Sequence, residues 1–258
     1  MEDNRLYTTQ RRNEILKILK EQGSISVNEL SEQFQVSGTT IRLDLTALEK
    51  TGLIRRTHGG AMLNTLIERE PLIQERKNHA EKQRIAQKAV ALIHENDTIL
   101  IDTGTTMHAL AGALASSALT KLRVYSNDLD VLRVLEEKES FELHLMGGVI
   151  RNGFHYTQGN QVIAELSNYH FKKMFLATSA FSLESGLTTA NSDLAAMKSA
   201  MIAASEEVIL LTDSSKMHHV LFQRFADLDE VDTLITDSGL AEEDAAALEK
   251  SVGTLLIV

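Results

Sequence analysis

From Gln10 the chain reads QRRNEILKILKEQG, where Ile15, Leu16, Ile18 and Leu19 recur at helical spacing and Gly23 stands where a helix would stop. A second helix follows from Ser26, which sits three residues before Glu29 as in a capping box, with Val27, Leu30 and Phe34 as its apolar face. Ser37 is placed to cap a third, whose Ile41, Leu45 and Leu48 share one face before Gly52 ends it. LIRRTHGGAM then gives two short extended pieces around Gly59 and Gly60, a hairpin or wing. A charged stretch with the only proline, Pro71, sets the expected divisions: residues 1–61, a linker over 62–78, and a larger domain over 79–258.

In that larger domain the period changes. A helix expected near residues 79–94 is followed by TILIDTGTT, LRVYSND, FELHLMGG, MFLATSA, VILLTDSSK, TLITDSG and TLLIV, short apolar runs that alternate with amphipathic segments. Such alternation predicts a Rossmann-like α/β domain, a mostly parallel sheet with helices on both faces.

Composition narrows the chemistry. With no cysteine, disulfides and thiolate sites are excluded, and the start MEDNRLYTTQ lacks the basic and apolar regions of a signal peptide, so a cytoplasmic protein with no membrane partner is expected. The net charge of -10 is unfavourable for nucleic acid as a sum, but it is unevenly spread. Residues 1–62 hold nine Lys and Arg against eight Asp and Glu; the rest hold 17 against 28. The nine histidines show no metal-ligand spacing, and neither a metal nor a cofactor is expected.

Two helices joined by a tight turn and followed by a wing with adjacent arginines make a winged helix-turn-helix domain. With Ile41, Leu45 and Leu48 inward, Thr39, Thr40 and Arg42 face outward, and Ser37 lies at the helix N-terminus that favours a phosphate. Arg42 is suited to guanine, the threonines to a thymine methyl or a phosphate, and Arg55, Arg56 and His58 to the backbone of double-stranded operator DNA. Any one of these alone would be a solvated surface residue; the ordered set is what points to DNA.

DTGTT, residues 102–106, is a strand-to-helix turn of the kind that receives a phosphate: Asp102, Gly104, Thr105 and Thr106 offer backbone amides and hydroxyls to an anion. Further strand ends carry Asn127, then Gly147, Gly148 and Arg151, then Asp213 and Lys216, and in an open parallel sheet such ends share one crevice. Met197 and Met201 are expected in the core, and His218 and His219 in solvent.

The segment QRRNEILKILKEQGSISVNELSEQFQVSGTTIRLDLTALEKTGLIRRTHGGA resembles the DNA-binding domain of the DeoR family of bacterial transcriptional regulators, in its V-S-x-x-T-I-R-x-D-L, L-E-x-x-G-L and R-x-H-G-G-A patterns. Leu43 departs from it, standing where members often carry arginine or lysine. The remainder resembles that family's effector-sensing domain, whose fold is shared with sugar-phosphate isomerases, in D-x-G-T-T, Ser126-Asn127, G-G-x-x-R, Gly159, G-L-T-T, Lys198 and D-S-S-K. The resemblance implies a repressor controlled by a phosphorylated sugar or polyol, acting as a homodimer or homotetramer, with Lys198 added to the effector site. Around residue 172 the family pattern is broken by Lys172, Ala177 and Ser179; Lys172 is expected to pair with an acid or add a phosphate contact, and the lost acids speak against isomerisation. The rival readings are a phosphosugar isomerase-like enzyme with an accessory DNA-binding domain, and a DNA-binding protein whose second domain only oligomerises.

Overall fold

The computed structural model describes residues 8–22, 24–50, 54–57, 59–63 and 78–258. Gly23, Gly52, His58 and Pro71, with most of the expected linker, lie outside them. The chain divides into two compact units, residues 1–69 and 70–258.

In the first unit α1 (Thr8–Gln22), α2 (Val27–Phe34) and α3 (Gly38–Lys50) surround a core of Ile15, Leu19, Leu30, Ile41, Leu45 and Ile54. The hairpin is β2 (Ile54–Arg56) against β3 (Gly60–Leu63), and β3 also pairs with β1 (Ser24–Ser26), a strand the local pattern does not announce. A Cβ on Gly60 would meet the Ile25 carbonyl oxygen at 2.1 Å, so the residue there has to be glycine for the two strands to approach. The α2 capping box is complete: Ser26 Oγ accepts from the Glu29 amide at 3.2 Å and Glu29 accepts from the Ser26 amide at 2.8 Å. Gln35 closes the helix in the left-handed region, which makes the sharp turn into α3.

The second unit is built on a fully parallel seven-stranded sheet in the order β15-β14-β12-β9-β4-β5-β6. Its strands are β4 (Thr98–Ile101), β5 (Arg123–Ser126), β6 (Glu142–Leu145), β9 (Phe171–Leu176), β12 (Ser205–Leu211), β14 (Thr233–Thr236) and β15 (Thr254–Ile257). Successive strand residues feed two cores. Ile99, Ile101, Phe175, Ile209 and Ile235 pack under α4 (His79–Val90), α5 (Thr105–Ala115) and α6 (Leu129–Leu135). Leu100, Met174, Leu176, Leu210 and Leu234 pack under α7 (Asn160–Leu166), α8 (Ser192–Ala203) and α9 (Glu242–Leu248), with Met197 and Met201 among them as expected. Two small antiparallel additions complete the unit: β7 (Val149–Arg151) with β8 (Tyr156–Gln158), and β10 (Ala180–Ser182), β11 (Gly186–Thr189) and β13 (Gln223–Ala226). The order reverses between β4 and β9, since the chain leaves β4 toward β5 and β6 and returns on the other side; the crevice at their C-terminal ends is the topological switch point.

Candidate functional site

The outward side of α3 carries Thr39, Arg42, Leu43 and Thr46 at i, i+3, i+4 and i+7, opposite its buried Ile41, Leu45 and Leu48. Ser37 caps the helix: its Oγ accepts from the Thr40 amide at 3.2 Å and shares a hydrogen bond of 2.9 Å with the half-buried Thr40 hydroxyl. Arg42 and Thr39 are exposed. Arg55 pairs with Met62 in the wing, and exposed Arg56 is fastened to α3, its Nη1 donating to Thr46 Oγ1 at 3.0 Å and its amide to Glu49 at 2.9 Å. His58 lies outside the described residues. Asp44, in the middle of α3, is buried and accepts from Arg11 Nε at 2.6 Å and Arg12 Nε at 2.8 Å. Two of the nine basic residues of this segment thus hold the fold together instead of facing outward.

In the second unit Asp102 leaves β4 wholly buried. Its Oδ2 accepts from the Ala177 amide at 3.0 Å and from Lys198 Nζ on α8, and Lys198 also donates to the Ala177 carbonyl at 2.9 Å. Strand β4, strand β9 and α8 are therefore tied at the switch point by one ion pair, while Asp102 Oδ1 is buried without a hydrogen-bond partner. Gly104 opens α5 with φ 121°, in a region that excludes most side chains, and α5 receives no side-chain cap there. Thr106 is buried and Thr105 half-buried just inside that helix.

Beside it Asp128 joins β5 to the same loop. It accepts from Thr103 Oγ1 at 2.7 Å and from the Gly104 amide at 3.4 Å, contacts His108 Nε2 at 3.1 Å, and caps α6 through the amides of Asp130 and Val131. Burial pushes the Asp128 carboxyl up, but the His108, Thr103 and Val131 hydrogen bonds outweigh it and hold the group below the ordinary aspartate range. His108, Asp128 and Asp130 offer ligand atoms within 4.8 Å of one another, close enough to share a cation. Both oxygens of Asp128 already accept from the protein, so the cluster serves as a hydrogen-bonded brace, with His108 Nδ1 left buried and without a hydrogen-bond partner. Local pattern did not single out Asp128 or His108, though both lie inside the quoted motifs or next to them, in YSND and DTGTTMH.

The other candidates divide. Asn127 is buried, its amide donating to the Thr157 carbonyl at 2.9 Å and its Oδ1 unpaired. Gly147 donates its amide to Glu165 at 3.2 Å, and Gly148, at φ 139°, is packed against the Gln158 carbonyl. Arg151 is turned onto its own hairpin, over the Phe154 ring at 4.0 Å and donating to the Tyr156 hydroxyl at 2.5 Å. Asp213 lies across β9 from Asp102 and belongs to a separate cluster with Asn78 at 2.7 Å and Lys82 at 3.8 Å; half-buried Lys216 follows it in a short 3-10 turn. Ser179 is half-buried, and His218 and His219 are exposed, His218 reaching Asp244 at 2.9 Å. Lys172 corrects an expectation. It is exposed at the second position of β9, about 16 Å along the strand from Ala177, so it adds nothing to the crevice.

These features define a class: a winged helix-turn-helix unit followed in one chain by a doubly wound α/β unit with a polar crevice at its switch point. The DeoR-like helix-turn-helix domain matches residues 11–66 and the DeoR C-terminal sensor domain residues 77–238. The chain belongs to the DeoR family. It is 35% identical to the HTH-type transcriptional repressor GlcR of Bacillus subtilis, over 90% of this chain and 89% of that one. It is 36% identical to the lactose phosphotransferase system repressor of Streptococcus mutans, over 88% and 91%. Among solved structures, ribose 5-phosphate isomerase A of Neisseria gonorrhoeae matches with a TM-score of 0.39 at 19% identity, over 53% of this chain and 52% of that one. No described helix is long and apolar enough to cross a membrane.

Proposed function

We propose that this protein is a transcriptional repressor of a sugar- or polyol-catabolism operon, whose operator affinity is set by a phosphorylated sugar or polyol bound at the crevice between β4 and β9. The observation that carries the DNA half is the outward face of α3, where Thr39 and Arg42 stand free above a helix whose opposite face is core. Such a helix fits the major groove, Arg42 suits guanine, and the Ser37 end suits a phosphate. The repressor names of relatives aligned over most of their length support the same role.

For the sensing half the support is a buried polar network left open. Asp102 Oδ1 and Asn127 Oδ1 lack partners beside an uncapped helix N-terminus, so a ligand offering hydroxyl donors and a phosphate would satisfy both. Lys198 holds Asp102 in place, Lys216 lies in the 3-10 turn that follows β12, and Arg151 ends β7. The chain works as a regulator and not as an enzyme: the carboxylate nearest the crevice is fixed in an ion pair, and Ser179 offers no general base. A ligand changes operator affinity only if it favours one arrangement of two reading helices over another, which requires a dimer or tetramer in the cytoplasm.

Footprinting of the full-length protein on the DNA upstream of its own gene, with and without a panel of phosphorylated hexoses, pentoses and polyols, tests both halves. A protected site that disappears with one class of phosphate is the expected result. Absence of any protection overturns the repressor reading; protection indifferent to every phosphate tested, with no thermal shift, overturns the sensing half.

A further inference from the structure

We propose that Leu43 reads a base: its side chain packs against the 5-methyl group of a thymine in the major groove, next to the contact made by Arg42. The inference deepens the DNA-binding reading and rests on it.

Leu43 occupies the centre of the outward stripe of α3, one turn beyond Thr39 and one turn before Thr46 and Ala47. Several neighbours are chemically committed. The Thr46 hydroxyl donates to the Arg42 carbonyl at 2.7 Å and accepts from Arg56, and the Ser37 and Thr40 hydroxyls bond each other in the cap. Thr39, Arg42 and Leu43 are left to meet a partner. Leu43 is 65% exposed, and it is the one large apolar side chain so exposed among the residues of this unit whose burial is described.

An exposed leucine is ordinarily unremarkable. Here it is flanked by Arg42 and shares its stripe with the Arg56–Thr46 contact, a cationic setting that suits a polyanion better than an apolar protein surface. Within a major groove, leucine has one complementary group. The edges of guanine, cytosine and adenine present donors and acceptors that lose water against an alkyl side chain and gain no hydrogen bond in return; thymine presents a methyl. Leu43 therefore adds affinity where thymine stands and subtracts it elsewhere, whereas a cation at the same position would favour guanine.

The test begins with the full-length protein enriching sites from a randomised duplex library. Each thymine of the enriched site is then replaced by deoxyuracil, which removes only the methyl. One thymine in each half-site is expected to weaken wild-type binding about fourfold when so replaced, the worth of burying one methyl. Leu43→Ala should bind the thymine and deoxyuracil duplexes equally, while melting like the wild type because the side chain is exposed. Leu43→Lys should shift enrichment at that base pair toward guanine. If no thymine is coupled to Leu43 while the wild type still enriches a site and Arg42→Ala still weakens it, the inference fails and the DNA-binding reading stands. If the wild type enriches nothing, both fall.

Discussion

Asp44 in the first unit and Asp102 in the second are both buried carboxylates, and they are completed in opposite ways. Asp44 receives two arginines and both of its oxygens are used. Asp102 receives one lysine and one amide on the same oxygen, and its other oxygen faces no donor. Among its described residues the first unit leaves no buried polar side chain without a partner, and its unused groups, Thr39, Arg42 and Leu43, are on the surface. Its partner has to be large, external and charged. In the second unit several unused groups are inside, Asp102 Oδ1 and Asn127 Oδ1 at the strand ends among them. Open buried acceptors are costly to fold around, and a small polar ligand is the kind of partner that recovers that cost.

The contrast can be broken most severely at Lys198. Lys198→Met leaves Asp102 buried beside an apolar chain, and the loss of one partner of a buried pair costs about 3 to 5 kcal/mol. Urea unfolding should show that loss in the second unit alone, and adding Asp102→Asn should restore much of it. Asp44→Ala is the matching cut in the first unit. It removes the carboxylate that Arg11 and the more solvated Arg12 share, so the expected loss is at the lower end, about 3 kcal/mol, confined to that unit. Arg42→Ala comes next and should leave unfolding unchanged while weakening the enriched duplex by about 1 to 3 kcal/mol. An equal loss on random DNA would make Arg42 a phosphate contact instead.

Local pattern was enough for the three helices of the first unit and for the apolar strands of the parallel sheet, because helix and strand periods are written residue by residue. Ile41, Leu45 and Leu48 lie where spacing put them, and both serine caps are formed. Long-range pairing was not legible. Arg11 and Arg12 look like charge for DNA until the fold brings Asp44 to them across more than thirty residues. Strand β1 has only three residues and is stabilised by β3, far along the chain. Lys172 shows the limit of motif matching: the family pattern around it suggests a ligand contact, but parallel register places the start of β9 at the end of the strands away from the crevice. The Thr103–Asp128–His108 brace was hidden for the same reason, since three residues of unremarkable type become a network only when β4 and β5 are neighbours.

The smallest effect separates two serines that look alike. Ser26 and Ser37 both accept an amide hydrogen at 3.2 Å at the start of a helix, and Ser→Ala at either should cost about 1 kcal/mol of stability in the first unit. They differ in what else depends on them. Ser26 belongs to a reciprocal box, and its bonds hold the Glu29 carboxyl below the ordinary glutamate range. That contribution is therefore present above the unfolded glutamate pKa and is lost as pH falls through the lower folded value; Ser26→Ala should flatten the acid side of the first unit's stability profile and leave DNA affinity alone. Ser37 opens the helix that would meet DNA, so Ser37→Ala should lower affinity for the enriched duplex and for random duplex by the same factor, as loss of a phosphate contact does. If Ser37→Ala costs stability and nothing in binding, the N-terminus of α3 does not touch the backbone, and the helix enters the groove by its middle, through Arg42 and Leu43.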